Sequence, residues 1–144
     1  MSSAAAVIAC ALSLLGRSEQ TMPPITLVEA PPGYVSAQAD AFVVPPEKRI
    51  FVVTSSATFR AALESRSLCN DSPAMKKLAS VFAHEHWHLQ NGSDESAAYH
   101  EQLKTLIRLG VPADGTLYRS VQRSLLQVLK ERNRKPDLVI AGGG

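Results

Sequence analysis

A chain of 144 residues holds enough material for one domain with a real core and too little for a second of ordinary size. Apolar residues make up 45% of it and charged residues 19%, a balance that excludes intrinsic disorder. Fifteen Lys and Arg against 13 Asp and Glu leave a net charge of +2, which excludes the broad positive surface of a nucleic-acid or anionic-membrane binder.

The apolar stretch Ala4 to Leu15 opens the pattern. No Lys or Arg precedes it and the first charge is Arg17, so it reads as a packed N-terminal helix rather than a signal peptide. About a dozen residues cannot span a bilayer. The expected location leans to the cytoplasm on that basis. Cys10 and Cys69 lie far apart in the chain and in unlike surroundings, which gives no ground for a disulfide framework or a paired-cysteine metal site.

Proline pairs at Pro23-Pro24, Pro31-Pro32 and Pro45-Pro46 forbid helix continuation and central-strand pairing where they sit. Short strands fit between them, at Ile25 to Glu29, Ala41 to Val44 and, the most β-branched and aromatic, Arg49 to Thr54. The pattern then turns helical. Ser55 or Ser56 caps a helix to about Arg66, and Asp71-Ser72-Pro73 opens one that runs to about Gln90 before Asn91-Gly92 stops it. Ser93 or Asp94 caps the next, which reaches Leu109 ahead of Gly110-Val111-Pro112. A last helix is expected from Thr116 to Arg132, with Lys130, Arg132, Arg134 and Lys135 complementing its dipole, and Gly142-Gly143-Gly144 as a frayed tail. Strands first and helices afterwards predict a single α+β domain with its core between about residues 25 and 132.

The segment His84-Glu85-His86-Trp87-His88 matches H-E-x-x-H. Histidines four apart leave one helix face together and can share one ion. At about 100° per residue, Met75, Leu78, Ala79, Phe82 and Leu89 form one stripe, while His84 and His88 lie nearly opposite beside Val81. This helix thus has two inward-looking faces, one packed and one carrying imidazoles, as a metal site at the centre of a small domain requires. Glu85 is offset from both histidines, placed to reach a water rather than to ligate. His86 shares the Met75/Phe82 stripe and is expected to pack in the core, and Trp87 is expected to pack as well.

A catalytic zinc site takes three protein ligands and leaves a fourth position open. In the following helix Glu95, Ala98, Tyr99, Gln102, Leu103, Leu106 and Leu109 share one stripe, so Glu95 points inward at the end nearest the histidines. Asp94, about 100° away, is suited to capping. His100 points away from the stripe, toward solvent.

With His84-Glu85-x-x-His88 followed by Glu95-x-x-Ala98, the chain resembles the zincin superfamily of metallopeptidases, and within it the gluzincin-like members. The resemblance implies a small zincin-like α+β domain in which a short sheet packs against the zinc helix and a glutamate helix follows. It also implies zinc held by His84, His88 and Glu95, with Glu85 activating water against a peptide or protein substrate. The linker from His88 to Glu95 is shorter than in the large thermolysin-like members. A metzincin or aspzincin pattern would use Asp94 instead, and its glycine three residues after the second histidine is Asn91 here. Tyr99, one turn beyond Glu95, is either a hydrogen-bond donor to the tetrahedral oxyanion or a packed ring. The Arg49 to Thr54 strand is a candidate edge for aligning an extended substrate. The alternative function is an inactive interaction protein that keeps zinc for folding.

Overall fold

The computed structural model describes residues 3–65, 69–132 and 141–142. The fold is α+β, with five helices and a small sheet. Helix α1 (Ala4–Leu14) precedes strands β1 (Ile25–Val28), β2 (Ala41–Phe42) and β3 (Ile50–Val53); then come α2 (Ala57–Glu64), a 3-10 turn (Cys69–Asp71), α3 (Pro73–Asn91), α4 (Glu95–Arg108), α5 (Thr116–Arg132) and the two-residue β4 (Ala141–Gly142).

Local chemistry sets the helix starts. Ser56, Ser72 and Asp94 are extended N-caps whose side chains accept the amides of Phe59, Met75 and Ala97, each relieving one of the unpaired donors of a first turn. Gly92 ends α3 at a φ of 111°, a conformation that side-chain-bearing residues rarely adopt, and its amide returns to the His88 carbonyl at 2.9 Å.

The strand order is β1-β3-β2-β4. β1 runs parallel to β3 with Ile25 opposite Ile50, and β2 runs antiparallel to it with Phe42 opposite Phe51. Strand alternation sends Ile50 and Val52 to one face and Phe51 and Val53 to the other. The first face packs on α1, α2 and α3 through Val7, Leu12, Phe59, Leu78 and Phe82. Each such side chain taken out of water stabilises the fold by about 1.5–3 kcal/mol. The second face is covered by Val35 and Ala39, with Phe42 stacked on Phe51 at 5.1 Å between ring centres. A separate apolar cluster joins α4 to α5 through Tyr99, Leu103, Leu106, Val121 and Leu125.

Five expectations change. The core begins at α1 rather than near residue 25, because Val7, Ile8, Ala11 and Leu12 are buried in the main cluster. The Arg49–Thr54 strand is not an edge: β3 has β1 on one side and β2 on the other, because a β-branched, apolar strand is best buried between neighbours. Gly142 is not frayed but pairs with Ala41, while Gly143, Gly144, Arg134 and Lys135 lie outside the described residues. His86 leaves the core and is only partly buried: it lines a polar space beside Arg17 and Gln90, although Leu89 beyond it still packs on the main cluster. Cys10 and Cys69 form a disulfide, with Cα atoms 5.8 Å apart, because α1 lies beside the 3-10 turn that leads into α3. No helix among the described residues is long and apolar enough to cross a membrane.

The disulfide closes a loop across a sequence separation of 59 residues and so restricts the unfolded chain. Replacing both cysteines by serine is expected to cost about 2–4 kcal/mol. Urea unfolding of that variant and of the parent, with and without reductant, measures the difference; reductant should lower the parent's midpoint and leave the variant's unchanged.

Candidate metal centre

Helices α3 and α4 lie side by side, and the polar residues of both inner faces meet in the seam between them. His84 and Glu85 are fully buried, His88 is 4% exposed and Glu95 7%. The structure therefore brings together four of the residues singled out by spacing. One ring nitrogen each of His84 and His88 and one carboxylate oxygen of Glu85 lie within 4.8 Å of one another, a grouping that could hold a metal ion.

Hydrogen-bond direction fixes the state of both rings. The Lys77 carbonyl can only accept, so the Ser80 hydroxyl donates to it, at 2.6 Å. Ser80 Oγ then accepts from Gln102 Nε2 at 3.3 Å, which turns Gln102 Oε1 toward His84 Nδ1 at 2.8 Å. His84 must donate from Nδ1. His88 Nδ1 faces the Gly92 carbonyl at 2.8 Å and donates for the same reason. Both rings consequently direct Nε2 toward Glu95 Oε1, at 2.5 Å from His84 and 3.2 Å from His88. Two imidazole nitrogens with their Nδ1 partners satisfied and one carboxylate oxygen form an electron-rich space that a cation must occupy, whether a proton or a metal. Zinc fits this donor set of two nitrogens and one oxygen, with outer partners already on both Nδ1 atoms.

The electrostatics agree. Burial works to raise the pKa of Glu95, yet hydrogen bonds and charge from His84 and His88 outweigh it and hold this carboxyl below its usual value. Glu85 behaves in the opposite way. Burial, then the negative charges of Glu95 and Asp40, push its pKa well above the ordinary range. Neither Glu85 oxygen has a hydrogen-bond partner among the described residues. Asp40 is itself raised, by burial, against the opposing Lys77 charge and hydrogen bonds from Thr58, Lys77 and Ser56. Its carboxylate meets Thr58 Oγ1 at 3.0 Å and Lys77 Nζ at 3.4 Å.

Tyr99 is buried with its ring 4.5 Å from that of His84 at an angle of 84°, so it packs against that imidazole. Trp87 meets His88 in the same edge-on manner at 5.9 Å. His100 is exposed and bonds the Ser96 carbonyl through Nδ1, outside the cluster. Asp94 is also outside it, accepting from the Ser96 hydroxyl at 2.8 Å and the Ala97 amide at 3.2 Å as a cap does. Gln102 and Ser80 were overlooked in the sequence, although a signal existed. Gln102 is two turns beyond Glu95 on the same stripe, and a buried amide in an apolar face requires a partner.

These positions separate the two acidic residues by experiment. Glu95→Ala is expected to abolish or sharply weaken zinc binding, whereas Asp94→Ala should cost about 1 kcal/mol of stability with zinc retained. Calorimetric zinc titration of both variants reads the difference, and the reverse order would make Asp94 the ligand. Comparison of the chain with known protein families, with curated proteins and with solved structures finds no match, so the side chains themselves carry the functional assignment.

Proposed function

We propose that the protein is a zinc-dependent peptidase of zincin type, with His84, His88 and Glu95 holding the ion and Glu85 as the general base. The observation that carries this reading is the unpartnered Glu85 carboxyl, fully buried beside two imidazoles whose Nδ1 atoms are already satisfied. A buried carboxyl without a hydrogen bond costs stability, and its retention beside a set of metal donors suits a group that exchanges protons with a reacting water.

Zinc bound in such a site supplies a Lewis acid that polarises a carbonyl and makes water a better nucleophile near neutral pH. The chain's own residues do the rest. Glu85 removes the proton from the attacking water and delivers it to the departing amine. Gln102 and the Gly92 carbonyl keep the imidazoles in the tautomer that presents Nε2. Tyr99 limits rotation of the His84 ring by packing on it. A peptide would have to reach the ion from the side of His88 and Glu95, the two donors that are not fully buried.

Near-complete burial also favours a second reading, in which the same zinc site only stabilises the fold, since structural sites are closed and catalytic sites keep an open position. That reading leaves the cost of Glu85 without a purpose, and the two make opposite predictions for this residue.

Purified protein should contain about one zinc per chain, and His84→Ala or His88→Ala should lose it. Glu85→Gln should keep the zinc and the fold while cleavage of a peptide library falls by at least about a hundredfold. Elemental analysis beside a chelator-controlled digest tests both expectations. Zinc-loaded parent protein with no cleavage that chelator abolishes would favour the structural role. Gln102→Ala is expected to weaken zinc affinity by about ten- to a hundredfold through loss of the His84 partner.

A further inference from the structure

On another side of α3 from the imidazole pair, a cavity of about 240 Å³ lies among α1, α3 and α4. Three elements bring donors to it. The C-terminal turn of α1 closes through Gly16 at a φ of 69°, and the Arg17 amide returns to the Leu12 carbonyl at 3.0 Å, which sets the guanidinium at the cavity wall. Helix α3 contributes His86, Trp87 and Gln90, and α4 contributes Arg108 with Glu101.

Charge in this space is not balanced. Glu101 is shared between Lys104 at 3.6 Å and Arg108 at 3.8 Å, long distances at which it neutralises neither fully. Among the described residues Arg17 has no carboxylate within ion-pair range. Arg17, His86, Trp87, Gln90 and Arg108 thus line this space with one carboxylate, that of Glu101, and Arg108 engages Thr105 Oγ1 and Glu101 through the same Nη2.

We propose that this cavity is a binding site for a small oxyanion, a phosphate- or carboxylate-bearing molecule held between Arg17 and Arg108. Each guanidinium presents forked donors that match a phosphate or carboxylate edge. Gln90 and His86 supply further donors on the α3 side, and the Trp87 indole forms the less polar wall. The assignment uses none of the zinc donors and is independent of the peptidase reading.

Trp87 is the only tryptophan of the chain and lines the cavity, so intrinsic fluorescence reports on this site directly. The experiment titrates the purified full-length protein with sodium phosphate and, separately, with sodium succinate at constant ionic strength set by chloride. A saturable fluorescence change is expected for at least one of them, and it should persist after chelator treatment. Saturation with phosphate alone identifies a phosphate-bearing ligand, with succinate alone a dicarboxylate, and with both a general oxyanion site. Arg17→Ala and Arg108→Ala should each weaken the response about tenfold, with Arg17→Lys recovering part of the loss. Both arginines are exposed, and unchanged thermal unfolding and zinc content of the variants confirm that the effect is local. A linear response, one reproduced by chloride, or one that Arg17→Ala leaves intact would overturn the proposal.

Discussion

Two backbone carbonyls, those of Lys77 and Gly92, set the direction of the hydrogen bonds that reach Nδ1 of His84 and of His88. A carbonyl cannot donate, so each forces a proton toward itself. At Lys77 the demand passes through Ser80 and Gln102 to His84, and at Gly92 it reaches His88 directly. Gly92 matters twice. Its positive φ ends the helix, and the same turn presents the carbonyl that orients the second ring. Termination of α3 and preparation of the site are one feature of the backbone.

Around that polar chain the interior is rich in buried carboxyl groups. Glu85, Glu95 and Asp40 are all buried, and Lys77 offsets only the last of them directly. Electrostatic repulsion in low dielectric grows with every carboxylate added, so the arrangement is one a divalent cation would relieve. Glu95 reaches that relief in part through the imidazoles, while Glu85 has no such contact. The difference between two glutamates ten residues apart is thus a difference of partners rather than of depth.

The helices were legible in the sequence because their starts are written in single residues. Ser72 and Asp94 act as the caps their positions imply, and α5 begins and ends at Thr116 and Arg132 as expected. Helical phase also placed Glu95 against the histidines and sent His100 outward. What could not be read depends on distant packing. The parallel pairing of Ile25 with Ile50 brings β1 beside β3 across the intervening β2 segment, and no local signal specifies which strand lies at the edge. Cys10 and Cys69 likewise become neighbours only once α1 docks beside the turn before α3. His86 shows where phase alone fails, because it shares a stripe with core residues and yet lines a polar space whose other walls come from α1 and α4.

Among the described residues apolar contacts form three clusters, one between the sheet and α1, α2 and α3, one on the other face of the sheet, and one joining α4 to α5. Polar side chains, not a continuous oily interior, fill much of the boundary where α3 meets α4. Such a boundary is held by directed bonds between buried groups, each of which loses its partner if the other is removed. Because those hydrogen bonds tie α4 to α3, the hold of the α4–α5 pair on the sheet layer depends on each polar partner in the seam. A ligand bridging His84 and Glu95 would join the two helices through a further bond, and amide exchange in α4 would slow on its addition.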